Sequence, residues 1–191
     1  MKVGVLALQG AFKLHVKALE QFGVEAIEVR NLENFNSVEA LIIPGGESTT
    51  MSFLLESTGM FEAIKESSAE GMPILGTCAG MILLSSKITD GRSDQNPLGL
   101  VNIETRRNGY GRQIDSFESD LSIKGFDRSF RGIFIRAPLV EKVGSEVEVL
   151  AEVNNRPVMC KQGSVLVTSF HPELADDTRI HTEFLEMLSK S

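Results

Sequence analysis

The chain has 191 residues, of which 42% are hydrophobic and 24% charged, and its formal net charge is -7. These values predict an ordinary globular protein in which residues 1–191 form a single domain, with a core that needs neither disulfides nor a metal ion. The acidic balance argues against a nucleic-acid partner, because proteins that bind nucleic acid usually present a basic face. No segment approaches the roughly 18 apolar residues of a membrane span. We therefore expect a cytoplasmic protein with no membrane partner.

The first half of the chain alternates apolar runs with helical patterns. Strands are predicted at Val3–Leu8, Glu25–Val29, Ala40–Ile43 and Ile74–Thr77. Helices are predicted from Phe12 to Phe22 and at Thr50–Glu56, Phe61–Glu70 and Ala79–Ser85. Strands that alternate with helices predict a parallel sheet with helices on both faces.

The second half carries more closely spaced strand patterns. Strands are predicted at Ile103–Thr105, Ile133–Ile135, Val147–Val153, Pro157–Gln162 and Val165–Phe170. Gly163-Ser164 suits a hairpin turn, and Asp176-Asp177-Thr178 offers N-cap residues for a final helix. The expected fold class is α/β, with an open, mostly parallel sheet flanked by helices and extended by antiparallel strands. The polar segment Thr89–Pro97 is predicted to be a mobile loop.

The segment Gly76-Thr77-Cys78-Ala79-Gly80 lies between a predicted strand and a predicted helix. The central residue of such a turn is strained and exposed at the carboxyl end of the sheet, and flanking glycines give the turn room. The helix N-terminus would favour a thiolate at Cys78, and the amide of Ala79 could donate to an oxyanion. Taken alone, the pattern also fits a small buried cysteine beside packing glycines. Cys160 lies in an apolar strand pattern and is predicted to be structural.

His171 follows the last predicted strand. Sites form at the strand ends of open α/β sheets. Pro172 stiffens the turn, and the Glu173 carboxylate can return to the imidazole from an extended segment. A cysteine nucleophile commonly works with a histidine base and a third group that holds the ring. Of the other two histidines, His15 is predicted to be a surface or packing residue, with contact to a partner as the less favoured alternative, and His181 has no distinguishing feature.

A second glycine turn, Pro44-Gly45-Gly46-Glu47-Ser48, follows the third predicted strand. Paired glycines allow unusual dihedral angles and close approach to a ligand, and their amides could bind a phosphate or an oxyanion. The turn is not a Walker motif, because no Gly-Lys-Ser/Thr follows. By itself it also fits a plain loop.

Together these three segments resemble the class I, or triad, glutamine amidotransferases. That family has a Gly-x-Cys-x-Gly elbow, a glycine-rich oxyanion strand and a His-Pro-Glu segment in the same order, on a flavodoxin-like fold. The resemblance narrows to the glutaminases of pyridoxal 5'-phosphate synthases and runs from Val3 to the final helix. The segments that carry it are Leu8-Gln9-Gly10-Ala11, Pro44–Thr50, Gly76–Gly80, Arg107-Asn108-x-x-Gly111-Arg112-Gln113, Phe134–Pro138 and Ser169–Leu174.

The resemblance implies that the chain hydrolyses L-glutamine to L-glutamate and ammonia, without a cofactor or a metal ion. It gives catalytic roles to Cys78, His171 and Glu173, and the oxyanion hole to Gly46 and Ala79. It gives glutamine-binding roles to Gly46, Glu47, Ser48, Arg107, Ile135 and Arg136. An ammonium group suits Glu47 and a carboxylate suits an arginine fork. Arg107 is preferred to Arg106, which is expected to be solvated.

The resemblance also implies a protein partner. In the family, ammonia passes to a separate (β/α)8-barrel synthase subunit in a hetero-oligomeric complex, and a barrel of roughly 250 residues would not fit in this chain. The Gly45-Gly46 peptide is a candidate switch for activation by that partner, because glycine changes its dihedral angles at little cost. Two alternatives stay open: a glutaminase subunit of another amidotransferase, and a non-catalytic regulatory module on the same fold.

Overall fold

The computed structural model describes residues 1–107 and 116–189. The strands in these ranges are β1 (Lys2–Leu6), β2 (Glu25–Val29), β3 (Ala40–Ile43), β4 (Ile74–Thr77), β5 (Ser85–Ile88), β6 (Val101–Arg106), β7 (Ser116–Leu121), β8 (Phe130–Ile135), β9 (Leu139–Val143), β10 (Glu148–Val153), β11 (Arg156–Gln162) and β12 (Val165–Thr168). The helices are α1 (Phe12–Glu20), α2 (Leu32–Phe35), α3 (Ser48–Ser57), α4 (Met60–Ala69), α5 (Ala79–Leu84) and α6 (Arg179–Leu188), with a short 3-10 helix at Pro172–Leu174.

Seven strands form the central sheet, in the order β10-β11-β12-β4-β3-β1-β2. The five strands from β12 to β2 are parallel, and β11 and β10 extend the sheet as antiparallel strands. The order of the parallel part is that of flavodoxin-like sheets. The predicted fold class is therefore confirmed. Two smaller sheets, β5-β6-β9 and β7-β8, accompany the central one.

Buried side chains cover both faces of the central sheet, because successive residues of a strand point to opposite sides. On β3, Ile43 joins the core cluster that contains Met51 of α3. Its neighbour Ile42 joins the opposite cluster, with Leu19 of α1 and Phe184 of α6. Helices thus pack on both faces, as predicted. Among the helices of the described ranges, none has the length and apolarity needed to cross a membrane.

Near the end of the chain, a hairpin joins β11 to β12, and an aspartate lies at the start of α6. Gln162 of β11 lies opposite Val165 of β12, which confirms the hairpin at Gly163-Ser164. Gly163 has a φ of +55°, a conformation that favours glycine. At the start of α6, only one of the predicted capping residues accepts a backbone hydrogen bond. The side chain of Thr178, at the N-cap position, makes no such bond, whereas Asp177 accepts the N–H of Arg179 at 3.1 Å.

The segment predicted as a mobile polar loop is anchored to α3. Gln95 is only 6% exposed, its amide nitrogen donates to the Ser48 hydroxyl at 3.1 Å, and its amide oxygen accepts from Thr49 at 3.2 Å. The next residue, Asn96, accepts a hydrogen bond from Ser52 through its carbonyl oxygen at 2.9 Å. These contacts hold the start of α3, and hence the turn before it, against the loop.

Candidate active site

A cleft of about 590 Å³ lies where β1, β3, β4, β8 and β12 end. The strand order of the sheet reverses between β1 and β3, and such a switch point opens a crevice at the carboxyl ends of the strands. Gln9, which follows β1, and Gly45, which follows β3, both line the cleft. So does every candidate site residue taken from the sequence, namely Gly46, Glu47, Ser48, Cys78, Ala79, Arg107, Ile135, Arg136, His171 and Glu173.

Cys78 occupies a strained turn between β4 and α5. Its φ is +51° and its ψ is -104°, outside the usual regions for a residue with a side chain. Its N–H donates to the carbonyl oxygen of Thr168 at 2.8 Å, which ties the turn to the end of β12. The Cys78 side chain is 8% exposed and reaches the cleft. The following residue, Ala79, begins α5, so its N–H has no acceptor within the helix.

The glycines of the elbow are needed for close packing. A Cβ on Gly80 would lie 2.1 Å from the carbonyl oxygen of Ile43, and one on Gly76 would lie 2.9 Å from the carbonyl oxygen of Gly80. Neither glycine has a positive φ. The Gly-x-Cys-x-Gly spacing therefore lets α5 start directly against β3 and β4, which fixes Cys78 at the end of the sheet.

His171 is held from two sides. Its Nδ1 lies 2.7 Å from Oε1 of Glu173, and its backbone N–H donates to the carbonyl oxygen of Ile133 in β8 at 2.8 Å. The preceding Phe170 is fully buried and packs against the ring of Phe134. The carboxylate returns to the ring as the sequence predicts, but from a 3-10 turn at Pro172–Leu174 and not from the expected extended segment.

The charge state of His171 follows from these neighbours. Burial by itself would lower the pKa of His171, but hydrogen bonds to Cys78 and Glu173 and the negative charge of both groups raise it to about 10. The arrangement therefore favours a protonated His171 imidazolium near neutral pH. No group of three or more His, Cys, Asp or Glu residues in the described ranges is arranged to hold a metal ion.

Glu173 stays ionised although it is buried. Burial tends to raise its pKa, but the electrostatic interaction with the His15 ring, together with the hydrogen bond and charge of His171, lowers it below its usual range. Of the two positions predicted for His15, surface or packing, the structure excludes the surface, and the contact with Glu173 was not predicted. His15 is fully buried, and its Nε2 lies 3.3 Å from Oε2 of Glu173.

The second glycine turn lies against both Cys78 and the residues that follow β1. The Gly45 carbonyl oxygen accepts the N–H of Ala11 at 3.1 Å, and the side-chain oxygen of Gln9 accepts the N–H of Glu47 at 2.8 Å. A Cβ on Gly45 would lie 2.5 Å from Cε1 of His171. The absence of a side chain there brings the turn within reach of Cys78 and His171.

Charged groups at the mouth of the cleft form a complementary pair. Arg107 donates to Oε1 of Glu47 at 2.8 Å. Burial would raise the pKa of Glu47, but hydrogen bonds from the backbone of Thr50 and the charge of Arg107 bring it below its usual value. The backbone of Arg136 has a φ of +44°, and the carbonyl oxygen of Ile135 lies 3.8 Å from the Cys78 sulfur.

Two further expectations concern Arg106 and the segment that begins at Arg107. Arg106 is about half exposed and pairs with Glu141 at 2.6 Å, so it points to solvent as predicted and away from the cleft lining. The rest of the segment that begins at Arg107, with Asn108, Gly111, Arg112 and Gln113, lies outside the described residues.

Known proteins resemble this chain along its length. The chain matches the SNO glutamine amidotransferase family over residues 5–190. It is 49% identical to the pyridoxal 5'-phosphate synthase subunit PdxT of Thermosipho africanus over 190 residues, which cover 100% of both chains. Its identity to the subunit of the same name from Mycolicibacterium vanbaalenii is 51%, over 98% of both chains. The chain belongs to the SNO glutamine amidotransferase family. The resemblance identified in the sequence is therefore confirmed.

Solved structures agree with this family assignment. A crystal structure of a glutamine amidotransferase matches with a TM-score of 0.93 and 47% identity, over 98% of each chain. A putative GMP synthase subunit from Thermoplasma acidophilum matches with a TM-score of 0.70 and 14% identity, over 100% of this chain and 94% of the other. At 14% identity the likeness shows the fold alone. The SNO-family chain is thus a glutamine amidotransferase on a fold that is also used outside its own family.

The sequence predicts no role in the site for three residues that the structure places there or directly behind it, Gln9, His15 and His181. Gln9 belongs to a family segment, but its hydrogen bond to the Glu47 N–H depends on the meeting of β1 and β3. His15 lies three residues after Phe12 and four before Leu19, so the helical spacing places it on the buried face of α1. His181 is 1% exposed, and its Nε2 lies 3.1 Å from Nδ1 of His15.

Proposed function

We propose that the cleft hydrolyses the side-chain amide of L-glutamine, with Cys78 as nucleophile, His171 as proton carrier and Glu173 as the group that holds the ring. The observation that carries this proposal is the position of the His171 ring. Its Nδ1 lies 2.7 Å from Oε1 of Glu173, its Cε1 and the Cβ of Cys78 both lie beside Gly45, and the interaction with Cys78 raises the pKa of His171 in a cleft open to a small molecule. A nucleophile, a base and an orienting carboxylate in this order are the parts of a catalytic triad.

The reaction proceeds in two halves. The Cys78 sulfur attacks the amide carbon of glutamine and the carbonyl electrons move onto oxygen. When that intermediate collapses, the C–N bond breaks, His171 gives its proton to the nitrogen, and ammonia leaves a glutamyl thioester. Water then loses a proton to His171 and attacks the thioester, which releases glutamate and restores the thiolate and imidazolium. Glu173 stabilises the imidazolium at each stage.

The oxyanion of each intermediate would be held by backbone N–H groups. The N–H of Ala79 is one donor, because it follows the nucleophile directly and has no partner within α5. The second would come from the Gly45-Gly46 peptide. The carbonyl oxygen of Gly45 accepts a hydrogen bond from the N–H of Ala11, so a flip of the Gly45-Gly46 peptide would break that bond. A synthase partner that contacts Ala11 or Gln9 could therefore control the position of the peptide N–H.

The charged mouth of the cleft suits the other end of the substrate. Free glutamine carries an ammonium and a carboxylate on the same carbon atom. Glu47 and Arg107 present the opposite charges 2.8 Å apart, and Arg136 adds a second cation to the lining. The zwitterion can therefore engage both members of the pair and leave its side-chain amide free to extend toward Cys78.

We further propose that the ammonia is used by the synthase subunit of a pyridoxal 5'-phosphate synthase, a separate (β/α)8-barrel chain. The support is that relatives about 50% identical over nearly the whole chain are named as subunits of that synthase. The fold is also shared with the putative GMP synthase protein, but at 14% identity. The higher identity favours a pyridoxal 5'-phosphate synthase over a different amidotransferase as the complex to which this glutaminase belongs.

An ammonia-release assay tests the proposal. The chain is incubated with L-glutamine in the presence and absence of the cognate synthase, and Cys78→Ala is compared with Cys160→Ala as a matched control. We expect Cys78→Ala to release no ammonia above background and Cys160→Ala to keep most of the wild-type rate. Wild-type ammonia release by Cys78→Ala would establish a different nucleophile. A complete lack of glutaminase activity in the wild type with the synthase would favour the non-catalytic module.

A further inference from the structure

A row of buried polar side chains continues behind the proposed triad. Nε2 of His15 lies 3.3 Å from Oε2 of Glu173 and 3.2 Å from the hydroxyl of Thr77. Nδ1 of the same ring lies 3.1 Å from Nε2 of His181. The two histidines come from α1 and α6, and both are at most 1% exposed. The row therefore joins two helices to the carboxylate that holds His171.

Both histidines are neutral. Burial and the nearby His171 lower the pKa of His15, although the charge of Glu173 opposes this. Burial and the neighbouring His15 lower the pKa of His181 to about 3, again against Glu173. A neutral imidazole has one N–H and one bare nitrogen, so each ring must choose a tautomer.

The carboxylate decides the tautomer of His15. Oε2 of Glu173 accepts no well-aligned hydrogen bond within the described residues, so a bare nitrogen of His15 facing it would place two lone pairs 3.3 Å apart. An N–H at Nε2 turns that repulsion into attraction. Nδ1 of His15 is then bare and must accept, which requires an N–H at Nε2 of His181. Nδ1 of His181 becomes the bare nitrogen, and it is the atom without a partner in the described ranges.

We propose that His15 and His181 are positioning residues that act as a neutral pair, each ring carrying its proton on Nε2. The pair fixes the Glu173 carboxylate so that its Oε1 stays hydrogen-bonded to Nδ1 of His171. A carboxylate held on one oxygen alone can rotate about its terminal bond and lose alignment with the ring. The pair holds the other oxygen without adding a charge to the site. This inference rests on the proposed role of Glu173 in the triad.

The tautomers can be measured directly in the wild-type protein. The full chain is labelled with 15N at histidine, and the nitrogen signals are followed by NMR between pH 6 and pH 9. We expect His15 and His181 to stay neutral throughout with the proton on Nε2. A proton on Nδ1 of His15, or a charged His15 at pH 7, would overturn the proposal whether or not any variant folds.

Variants then test the consequence for activity in the presence of the cognate synthase. His15→Phe keeps a ring but removes the N–H, and we expect kcat to fall roughly tenfold to a hundredfold with an unchanged KM for glutamine. Because Glu173 would hold His171 less well, the alkaline limb of the kcat profile should move to lower pH by about one unit. His15→Gln, whose amide can still donate toward Glu173, should recover part of both effects.

The outcomes separate this proposal from the triad itself. If Cys78→Ala is inactive and folded His15→Phe keeps the wild-type kcat and pH profile, the triad stands and the positioning role is wrong. A loss in His15→Phe that appears only in the free energy of unfolding, measured in urea, would likewise reduce His15 to a structural role. If Cys78→Ala is active, the proposed triad is wrong, and the positioning role that rests on it is wrong as well.

Discussion

Nδ1 of His171 lies 2.7 Å from Oε1 of Glu173, and the Glu173 side chain has no solvent exposure. This contact fixes one proton of His171 on Nδ1, because a carboxylate can only accept. Nε2 is left to carry the proton that is exchanged with Cys78. The relative position of two residues only two apart in sequence therefore determines the direction of proton transfer in the proposed reaction.

Replacing Glu173 with Gln should impair turnover far more than binding. The amide keeps the size of the side chain but loses the charge that stabilises the imidazolium, so we expect kcat to fall by about a hundredfold to ten-thousandfold. KM for glutamine should change little. Glu20→Gln, at an exposed position of α1, is the control and should match the wild type. Steady-state kinetics with the synthase measure both, and an unchanged kcat in Glu173→Gln would exclude the orienting role.

The pH dependence of stability should report on the same pair. The pKa of His171 is raised to about 10 from its ordinary value of 6.5. A group with a raised pKa contributes stability that is fully present below the unfolded value and is lost as pH rises through the folded value. The difference in free energy of unfolding between wild type and His171→Asn should therefore shrink between pH 6.5 and pH 10. Urea titrations at pH 6, 8 and 10 measure it, and a growing difference would contradict the assignment.

The two cysteines should differ sharply toward an alkylating reagent. Cys160 is fully buried in β11, and burial, with a smaller effect of Glu152, raises its pKa to about 12. Cys78 faces the cleft beside His171. We expect iodoacetamide at pH 8 to label the folded wild type once, at Cys78, and to leave folded Cys78→Ser unlabelled. Mass spectrometry of peptides identifies the site, and labelling of Cys160 in the folded protein would contradict the prediction.

The parallel part of the fold could be predicted because most of its strands, namely β1, β3, β4 and β12, are largely apolar and buried. β2, β3 and β4 have the predicted bounds, since each is bounded by turn residues. β7 and β9 could not be found this way. In β7, exposed Glu118 and Asp120 alternate with less exposed residues, and its pairing with β8 outweighs the weak local pattern. β1 ends at Leu6 and not at Leu8, because the chain turns to bring Ala11 onto Gly45.

The site could be predicted where motifs mark it and not where only packing does. Cys78 and His171 each stand in a turn of special residues at a strand end, and such turns are visible in sequence. His15 and His181 lie within ordinary amphipathic helices and are 166 residues apart. Their contact depends on how α1 and α6 pack on the sheet, which helical periodicity does not specify.

Arg107 should affect glutamine binding more than chemistry. It is expected to pair with the substrate carboxylate, and a hydrogen bond to a charged group contributes about 1.5–3 kcal/mol. Arg107→Ala should therefore raise KM for glutamine roughly tenfold to a hundredfold with little change in kcat. Arg106→Ala is the matched control, because that side chain pairs with Glu141 outside the cleft lining. Equal KM values for the two variants would argue that Arg107 does not bind substrate.

Gly80 should tolerate no side chain, because the elbow packs directly against β3. A Cβ there would lie 2.1 Å from the carbonyl oxygen of Ile43, a backbone atom that cannot move without shifting the strand. We expect Gly80→Ala to lower the free energy of unfolding by about 1–3 kcal/mol and to displace Cys78, with a loss of glutaminase activity. In Gly91→Ala the new Cβ would meet side-chain atoms and no backbone, with Cγ2 of Ile88 at 2.9 Å and Oε1 of Gln95 at 3.5 Å, so this control should change both quantities much less. Urea unfolding and ammonia release measure the pair, and equal effects in both variants would show that the close approach to Ile43 is not what requires glycine.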